Sequence, residues 1–376
     1  MIPFTLRSPH EVVFGPGVRT QTGTQAALYG RHALLVTGRH FAAQSGLLDE
    51  MTALLQATGV AVTPFAEVEA EPSLGTVERG RAAFVAAGCD LVVAVGGGSA
   101  LDVGKAIAAL ARQPETVDHY FSGAAIPGPG CPIIALPTTS GTGAEVTPNS
   151  VFTDPETRQK ASIRGHTLMP AVALVDPELT LALPPAQTAW SGLDALTQAI
   201  EAYTSSGANV VSDGLAREAV VRVMGSLRQA VAEGGDLTAR TGLALGSLLA
   251  GLALASARLG LVHGLAHPLG ALYHLPHGRV CGLLLPAVMR FNQQAAGAKY
   301  AALAAAVGLE ATPQALLSAV EQLAAELGVS GSLGALGLIE ADFPAIIPAT
   351  LASGSTKHNP QPVDEASVRQ LLRELL

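Results

Sequence analysis

The sequence predicts an α/β N-terminal domain built on a parallel sheet, followed by an all-α C-terminal domain. Three observations carry that expectation. The chain has 376 residues, more than one hydrophobic core usually serves, which points to two domains. Its first half alternates short apolar runs with amphipathic segments, the pattern of βαβ units. After Asp176 the alternation stops, and helical periods rich in Ala and Leu take over.

Ala33–Thr37 (ALLVT), Leu91–Val95 (LVVAV), Pro132–Leu136 (PIIAL) and Val172–Val175 (VALV) are apolar runs of strand length that end near turn-forming residues. They read as buried strands. Gln44–Ala57, Ser73–Ala87 and Ala100–Ala111 have helical periodicity and read as the segments between them. Asn149–Thr153 and Lys160–Arg164, joined by Asp-Pro-Glu-Thr-Arg-Gln, look like an added hairpin. The LTLALPP break at Leu179–Pro185 sets the boundary, giving domains at 1–181 and 182–376. From Pro184 to about Leu327 no strand alternation is visible, and Ala295–Ala306 reads as a surface helix. The polar tail Ser353–Glu365 leads into a closing helix over Ala366–Leu376.

Composition removes several function classes. Hydrophobic residues make up 49% and charged ones 14%, so the chain can bury a large core and is neither disordered nor fibrous. A formal net charge of −8 offers no basic field for nucleic acid. No run of Lys or Arg suggests a polybasic membrane contact. Cys89, Cys131 and Cys281 form no CxxC pair and read as small core residues in a reducing compartment. The N-terminus lacks an apolar signal core, and Thr241–Ala257, the nearest approach to a membrane span, suits a buried bundle helix ended by Arg258. A cytoplasmic protein without membrane or nucleic-acid partners is expected.

Chemistry concentrates in four stretches. Leu261–Gly278 reads LVHGLAHPLGALYHLPHG and places His263, His267, His274 and His277 in an apolar run. His263 and His267 share a helix face, and the Leu-Pro pair should end that helix before His277. Imidazoles on such a background suit a divalent metal or proton transfer. Upstream, Asp194 and Gln198 stand four apart with Glu201 one step further round. Asp194 reads equally as a metal-binding carboxylate or as a first-turn acid following Ser191 and Gly192. The strand Leu91–Val95 runs into Gly96-Gly97-Gly98-Ser99, which allows close backbone approach to a pyrophosphate at a helix N-terminus. Ser99 and Asp102 have capping-box spacing, so they also read simply as the start of that helix. A second loop, Leu136–Glu145, offers hydroxyls and flexible amides at what should be the same sheet edge. Together the two loops predict nucleotide binding.

GGGSALDVGKAIA, LPTTSGTGAEVT, GLDALTQAIEAY and HGLAHPLGALYHLPHG occur in the order and spacing of the four signatures of the iron-containing (group III) alcohol dehydrogenases. The chain resembles that family over essentially its whole length. The resemblance implies a dehydroquinate synthase-like architecture with an N-terminal dinucleotide-binding domain and a helical metal and substrate domain. It implies a homodimeric NAD(P)-dependent alcohol dehydrogenase or aldehyde reductase that moves a hydride between nicotinamide and a small alcohol or aldehyde. By the same resemblance, Gly97, Gly98, Ser99, Asp102, Thr138, Thr139, Thr142 and Thr147 hold the dinucleotide in the cleft between the domains, and Lys160 contacts its polar groups. Asp194, the residue at 198, His263 and His277 would ligate Fe²⁺ or Zn²⁺. His267 matches a histidine beside the nicotinamide that relays protons or orients substrate, whereas His274 has no counterpart.

Two departures matter. The family usually has His where this chain has Gln198, a neutral and weaker donor. That keeps open a metal-independent enzyme resembling the maleylacetate reductases, with Arg164, Arg279 and Lys357 as the few cations for an acidic substrate. A dehydroquinate synthase-like lyase or a non-catalytic dinucleotide-binding relative is the further alternative. After ALLVT the chain has Gly38-Arg39, where NAD-using relatives tend to place an Asp. Loss of that acid with Arg39 beside it favours NADP(H) over NAD(H), although Arg39 also reads as a solvated loop charge.

Overall fold

Six parallel strands form one sheet in a computed structural model of the protein, which describes residues 3–154 and 159–376. The strands are β1 (Glu11–Phe14), β2 (His32–Gly38), β3 (Ala61–Val68), β4 (Leu91–Gly96), β5 (Ile133–Pro137) and, after the hairpin β6 (Asn149–Asp154) and β7 (Gln159–Arg164), β8 (Val172–Val175). The sheet order is β1-β8-β5-β4-β2-β3. The chain passes outward from β2 to β3, then returns to the other side of β2 for β4, so the order reverses between β2 and β4. Open α/β sheets bind ligands at the carboxyl ends of strands flanking such a reversal.

The four expected strands are β2, β4, β5 and β8, whose central residues are buried. Burial on both faces is what makes a strand read as one continuous apolar run. The sequence reading does not find β1 or β3, and both are edges of the sheet. β3 buries only Phe65 and Val68, and its Pro64 is tolerated because an edge strand leaves one row of amides unpaired. The hairpin forms as expected, with antiparallel pairing from Asn149↔Arg164 to Asp154↔Gln159. The centre of its connection, 155–158, lies outside the described residues.

Local chemistry sets the helix starts. Ser73 caps the helix Leu74–Ala87 by accepting the Thr76 N–H at 3.3 Å. The helix Gly98–Leu110 begins two residues earlier than expected, with Gly97 as its N-cap and no side-chain cap bond. Ser99 and Asp102 therefore lie inside the helix, and the capping-box reading fails. This helix is buried from Ala100 to Leu110 because it packs on the sheet, on the helix Leu74–Ala87 and on the hairpin.

The described residues divide into two compact units, Arg7–Leu181 and Ala182–Leu376, the latter joined by residues 3–6. The second unit is helical. Its main helices are Pro185–Thr204, Val210–Ala232, Leu237–Ala257, Leu261–Tyr273, His277–Ala306 and Pro313–Glu326, around a core that includes Leu196, Leu243, Leu265, Leu284 and Leu316. Leu237–Ala257 is long and apolar enough to cross a bilayer, but 56% of its apolar window is buried inside the fold. Ala295–Ala306 belongs to the long helix His277–Ala306 and buries Ala296, Tyr300, Leu303 and Ala304, so it is a core helix with one wet face. Glu365–Glu374 closes the chain, capped by Asp364.

Candidate active site

In the α/β unit, the glycine turn follows β4 and the threonine loop follows β5. These strands are paired neighbours, so both loops leave the same sheet edge, and the Thr138 N–H donates to the Gly96 carbonyl at 2.9 Å. Gly97, Gly98 and Ser99 sit partly exposed at the helix N-terminus, where unpaired N–H groups favour an anion. A Cβ on Gly98 would fall 2.9 Å from Thr142 Cγ2, so any larger residue there must displace the Thr142 side chain. Thr138 is buried, Thr139 half-buried and Thr142 exposed, its Oγ1 accepting the Ala144 N–H at 3.3 Å. Gly38 ends the adjacent β2 and Arg39 follows it. The exposed Arg39 donates from Nε to the Glu67 carbonyl at 2.9 Å and lies 3.4 Å from Glu69 Oε2. Lys160 pairs with Glu71, a non-glycine residue at φ 53.

Asp102 and Thr147 point into the unit, towards a residue that sequence reasoning missed. Lys105 is fully buried and pairs with Asp102 Oδ1 at 2.9 Å. Its Nζ also donates to the carbonyls of Ala144 at 2.9 Å and Thr147 at 3.3 Å, and to Asn149 O. Asp102 Oδ2 accepts the Val151 N–H at 2.9 Å. One helix thereby clamps the threonine loop and the hairpin. Beside the clamp, burial pushes the Glu145 carboxyl up to about 7, with its own backbone N–H and Lys105 opposing the shift.

In the helical unit, Pro185–Thr204 presents Asp194, Gln198 and Glu201 on one buried stripe. Asp194 lies well inside this helix, which excludes its reading as a first-turn acid. Leu261–Tyr273 supplies His263 and His267, then stops at His274 in a left-handed conformation (φ 53). His274 is exposed, so three of the four histidines converge. His277 opens the next helix and Cys281 follows one turn later. This helix meets Pro185–Thr204 so closely that a Cβ on Gly278 would lie 2.2 Å from the Trp190 carbonyl oxygen.

One donor atom each from Asp194, His263, His277 and Cys281 lies within 4.8 Å of the others. His263 Nε2 is 3.3 Å from Asp194 Oδ1, and His277 Nε2 is 3.8 Å from it. The His267 and His277 rings are 5.6 Å apart, the His263 and His277 rings 5.4 Å. Glu201 holds this arrangement from behind. It accepts the Val262 N–H at 2.7 Å and pairs with His263 Nδ1 at 2.6 Å, while Asn359 accepts the neighbouring Leu261 N–H at 3.1 Å.

These residues fit a divalent cation. Asp194 Oδ1, Gln198 Oε1 and His263 Nε2 are buried without a hydrogen-bond partner; the 3.3 Å contact between Asp194 and His263 lacks hydrogen-bond alignment. Orphaned buried polar atoms are costly, and a cation satisfies several at once. The Glu201 contact fixes Nδ1 as the protonated nitrogen and turns Nε2 towards the cluster, the usual support for a metal-bound imidazole. In the bare site, burial opposes protonation of His263, yet Glu201 and Asp194 together push it up to about 10. Burial also works to raise Asp194, but His277 and His263 hold it below the usual carboxylate range. The site calls for positive charge.

The profile of iron-containing alcohol dehydrogenases matches residues 9–177, and that of the C-terminal region of Fe-containing alcohol dehydrogenases matches 188–376. The chain belongs to the iron-containing alcohol dehydrogenase family. It is 38% identical to a 1,3-propanediol dehydrogenase of Klebsiella pneumoniae, over 97% of each chain. A crystal structure of 1,3-propanediol oxidoreductase superposes with TM-score 0.95 at 37% identity, covering all of both chains. A sulfoacetaldehyde reductase from Bifidobacterium kashiwanohense, solved in complex with NAD⁺, gives TM-score 0.92 at 31% identity over 100% and 99% of the two chains. This iron-containing alcohol dehydrogenase is therefore an oxidoreductase acting on alcohols and aldehydes. Its sequence hid Cys281, which read as a core residue, although its i, i+4 spacing from His277 places both on one helix face. Glu201 carried a similar signal, one turn beyond Gln198 and two beyond Asp194.

Proposed function

We propose that this family member is a metal-assisted, NADP(H)-preferring reductase of small aldehydes, reversible towards the corresponding alcohols. The observation that carries the metal reading is the set of buried, unpartnered donor atoms on Asp194, Gln198 and His263. Those residues with His277 would hold Fe²⁺ or Zn²⁺. A cation there supplies Lewis-acid polarisation of the carbonyl oxygen, and the nicotinamide supplies or accepts the hydride.

The protein's own part is placement and charge. Gly97, Gly98, Ser99, Thr138, Thr139 and Thr142 line the carboxyl edge of β4 and β5 and bind the dinucleotide, with Lys160 at a polar group. Asp102 and Thr147 keep that loop in place through Lys105. Glu201 orients His263. His267, ring to ring with His277, exchanges a proton with the substrate oxygen, a role general acid–base groups fill at about 10²–10⁴-fold in rate. Gly38 leaves room for a 2′-phosphate and Arg39 offers it a cation. The negative net charge speaks against nucleic acid, and three cysteines outside any disulfide suit a reducing cytoplasm. We extend the family resemblance to a homodimer, with 1–181 as the dinucleotide domain and 182–376 as the metal and substrate domain.

NADPH oxidation with a panel of short aldehydes, before and after chelation and re-addition of Fe²⁺ or Zn²⁺, tests the proposal. Turnover should vanish on chelation and return with metal; undiminished turnover would establish the metal-independent reading. NADPH should outperform NADH, and Arg39→Ala should narrow the gap. A wild-type preference for NADH would overturn the assignment of Gly38 and Arg39.

A further inference from the structure

We propose that Cys281 is a protein ligand of the metal, supplying through Sγ the strong donor that Gln198 does not, and that this chain accordingly favours Zn²⁺ over Fe²⁺. The inference rests on the metal reading above and goes beyond it in naming a strong donor in the place of Gln198. Cys281 is fully buried, and its Sγ lies 3.6 Å from His277 Nε2. Bonds of about 2.0–2.1 Å to nitrogen or oxygen and about 2.3 Å to sulfur give tetrahedral edges of about 3.4–3.6 Å. The edges seen are 3.6 Å for His277–Cys281, 3.3 Å for His263–Asp194 and 3.8 Å for His277–Asp194. These three of the six donor–donor edges are close to tetrahedral values, and every pair lies within 4.8 Å.

A cysteine alone would argue nothing. Here it stands with two buried donors that have no hydrogen-bond partner, Asp194 Oδ1 and His263 Nε2, within the same 4.8 Å cluster. Gln198 Oε1, on the same helix face as Asp194, is neutral and hard, whereas thiolate is soft and selects zinc among the divalent ions available. Sγ coordinates as thiolate, its proton passing to solvent. The other two cysteines, Cys89 and Cys131, belong to the α/β unit and cannot mimic the signal from this cluster.

Cobalt replaces zinc with a spectrum that reports thiolate ligation. The full chain, stripped with chelator and titrated with Co²⁺, should develop a near-ultraviolet sulfur-to-cobalt charge-transfer band at one equivalent. Cys281→Ser should abolish the band and weaken Zn²⁺ at least about 10-fold, while Cys89→Ser and Cys131→Ser leave both unchanged. Stoichiometric Co²⁺ binding by wild type without the band overturns the Cys281 assignment and leaves the metal reading standing. Failure of native-folded protein to bind Co²⁺ at all sinks both. The wild-type spectrum decides even if Cys281→Ser does not fold. Competition should show Zn²⁺ displacing Fe²⁺ in wild type, with the preference reduced by the combined change of Cys281→Ser and Gln198→His; an unaltered preference counts against the proposal.

Discussion

The clamp at Lys105 and the cluster at His263 are both buried polar assemblies, and they treat their polar atoms in opposite ways. The Lys105 ammonium meets one carboxylate and several carbonyls, and Asp102 turns its second oxygen to the Val151 amide. In the cluster, Asp194, Gln198 and His263 each keep a buried atom unpaired. A satisfied network holds a scaffold in one shape, whereas an unsatisfied one is held in shape by its surroundings for something that arrives later. Burial of charge alone does not mark a binding site; the unmet valence does.

The comparison fails if the two networks respond alike to removal of a member. Lys105→Met should destabilise the protein by about 3–5 kcal/mol in urea denaturation, because it strands a buried carboxylate beneath the threonine loop. A loss below about 1 kcal/mol would show that the clamp is not structural. The next largest effect is on pH. Glu145 titrates near 7 in the folded protein against a reference of 4.5, so the folded state holds more protons than the unfolded chain between those values. Its contribution is fully present below about 4.5 and lost as pH rises through about 7, by about 3 kcal/mol. Glu145→Gln should flatten that slope in the metal-free and cofactor-free protein.

Gly98→Ala tests the close fit of turn and loop. Displacing Thr142 should cost about 1–3 kcal/mol, read as roughly 10-fold weaker dinucleotide binding in a fluorescence titration; unchanged affinity would mean that the turn does not shape the site. The smallest effect has the opposite sign. Gln198→Leu should leave the metal-free protein unchanged or stabilise it by about 1 kcal/mol, because it removes a buried acceptor without a partner. If it instead destabilised as strongly as Lys105→Met, the distinction between the two networks would collapse.

The legible parts of the sequence were those with a repeated physical signal. β2, β4, β5 and β8 stood out because sheet burial on both faces demands unbroken apolar runs. The edge strands β1 and β3 carry no such demand, and Pro64 lowers the strand signal further. The glycine and threonine loops were visible because few backbones need that much freedom beside a buried strand. Lys105 was not: a single lysine on a helix usually ends in water, and only the hairpin packed over it gives it another fate. Cys281 was obscured by its own chemistry, since a thiol among leucines is the normal core cysteine. Its role emerges only when Asp194, far away in sequence, is brought to the same place.

That last separation has a mechanical consequence. An ion shared by Pro185–Thr204, Leu261–Tyr273 and His277–Ala306 would act as a reversible cross-link closing a long loop of chain, and such closures restrain unfolding out of proportion to their size. Stripping it should therefore shorten the lifetime of the helical unit against proteolysis and heat. The ability to turn over substrate and the ability to persist would then be governed by one occupancy.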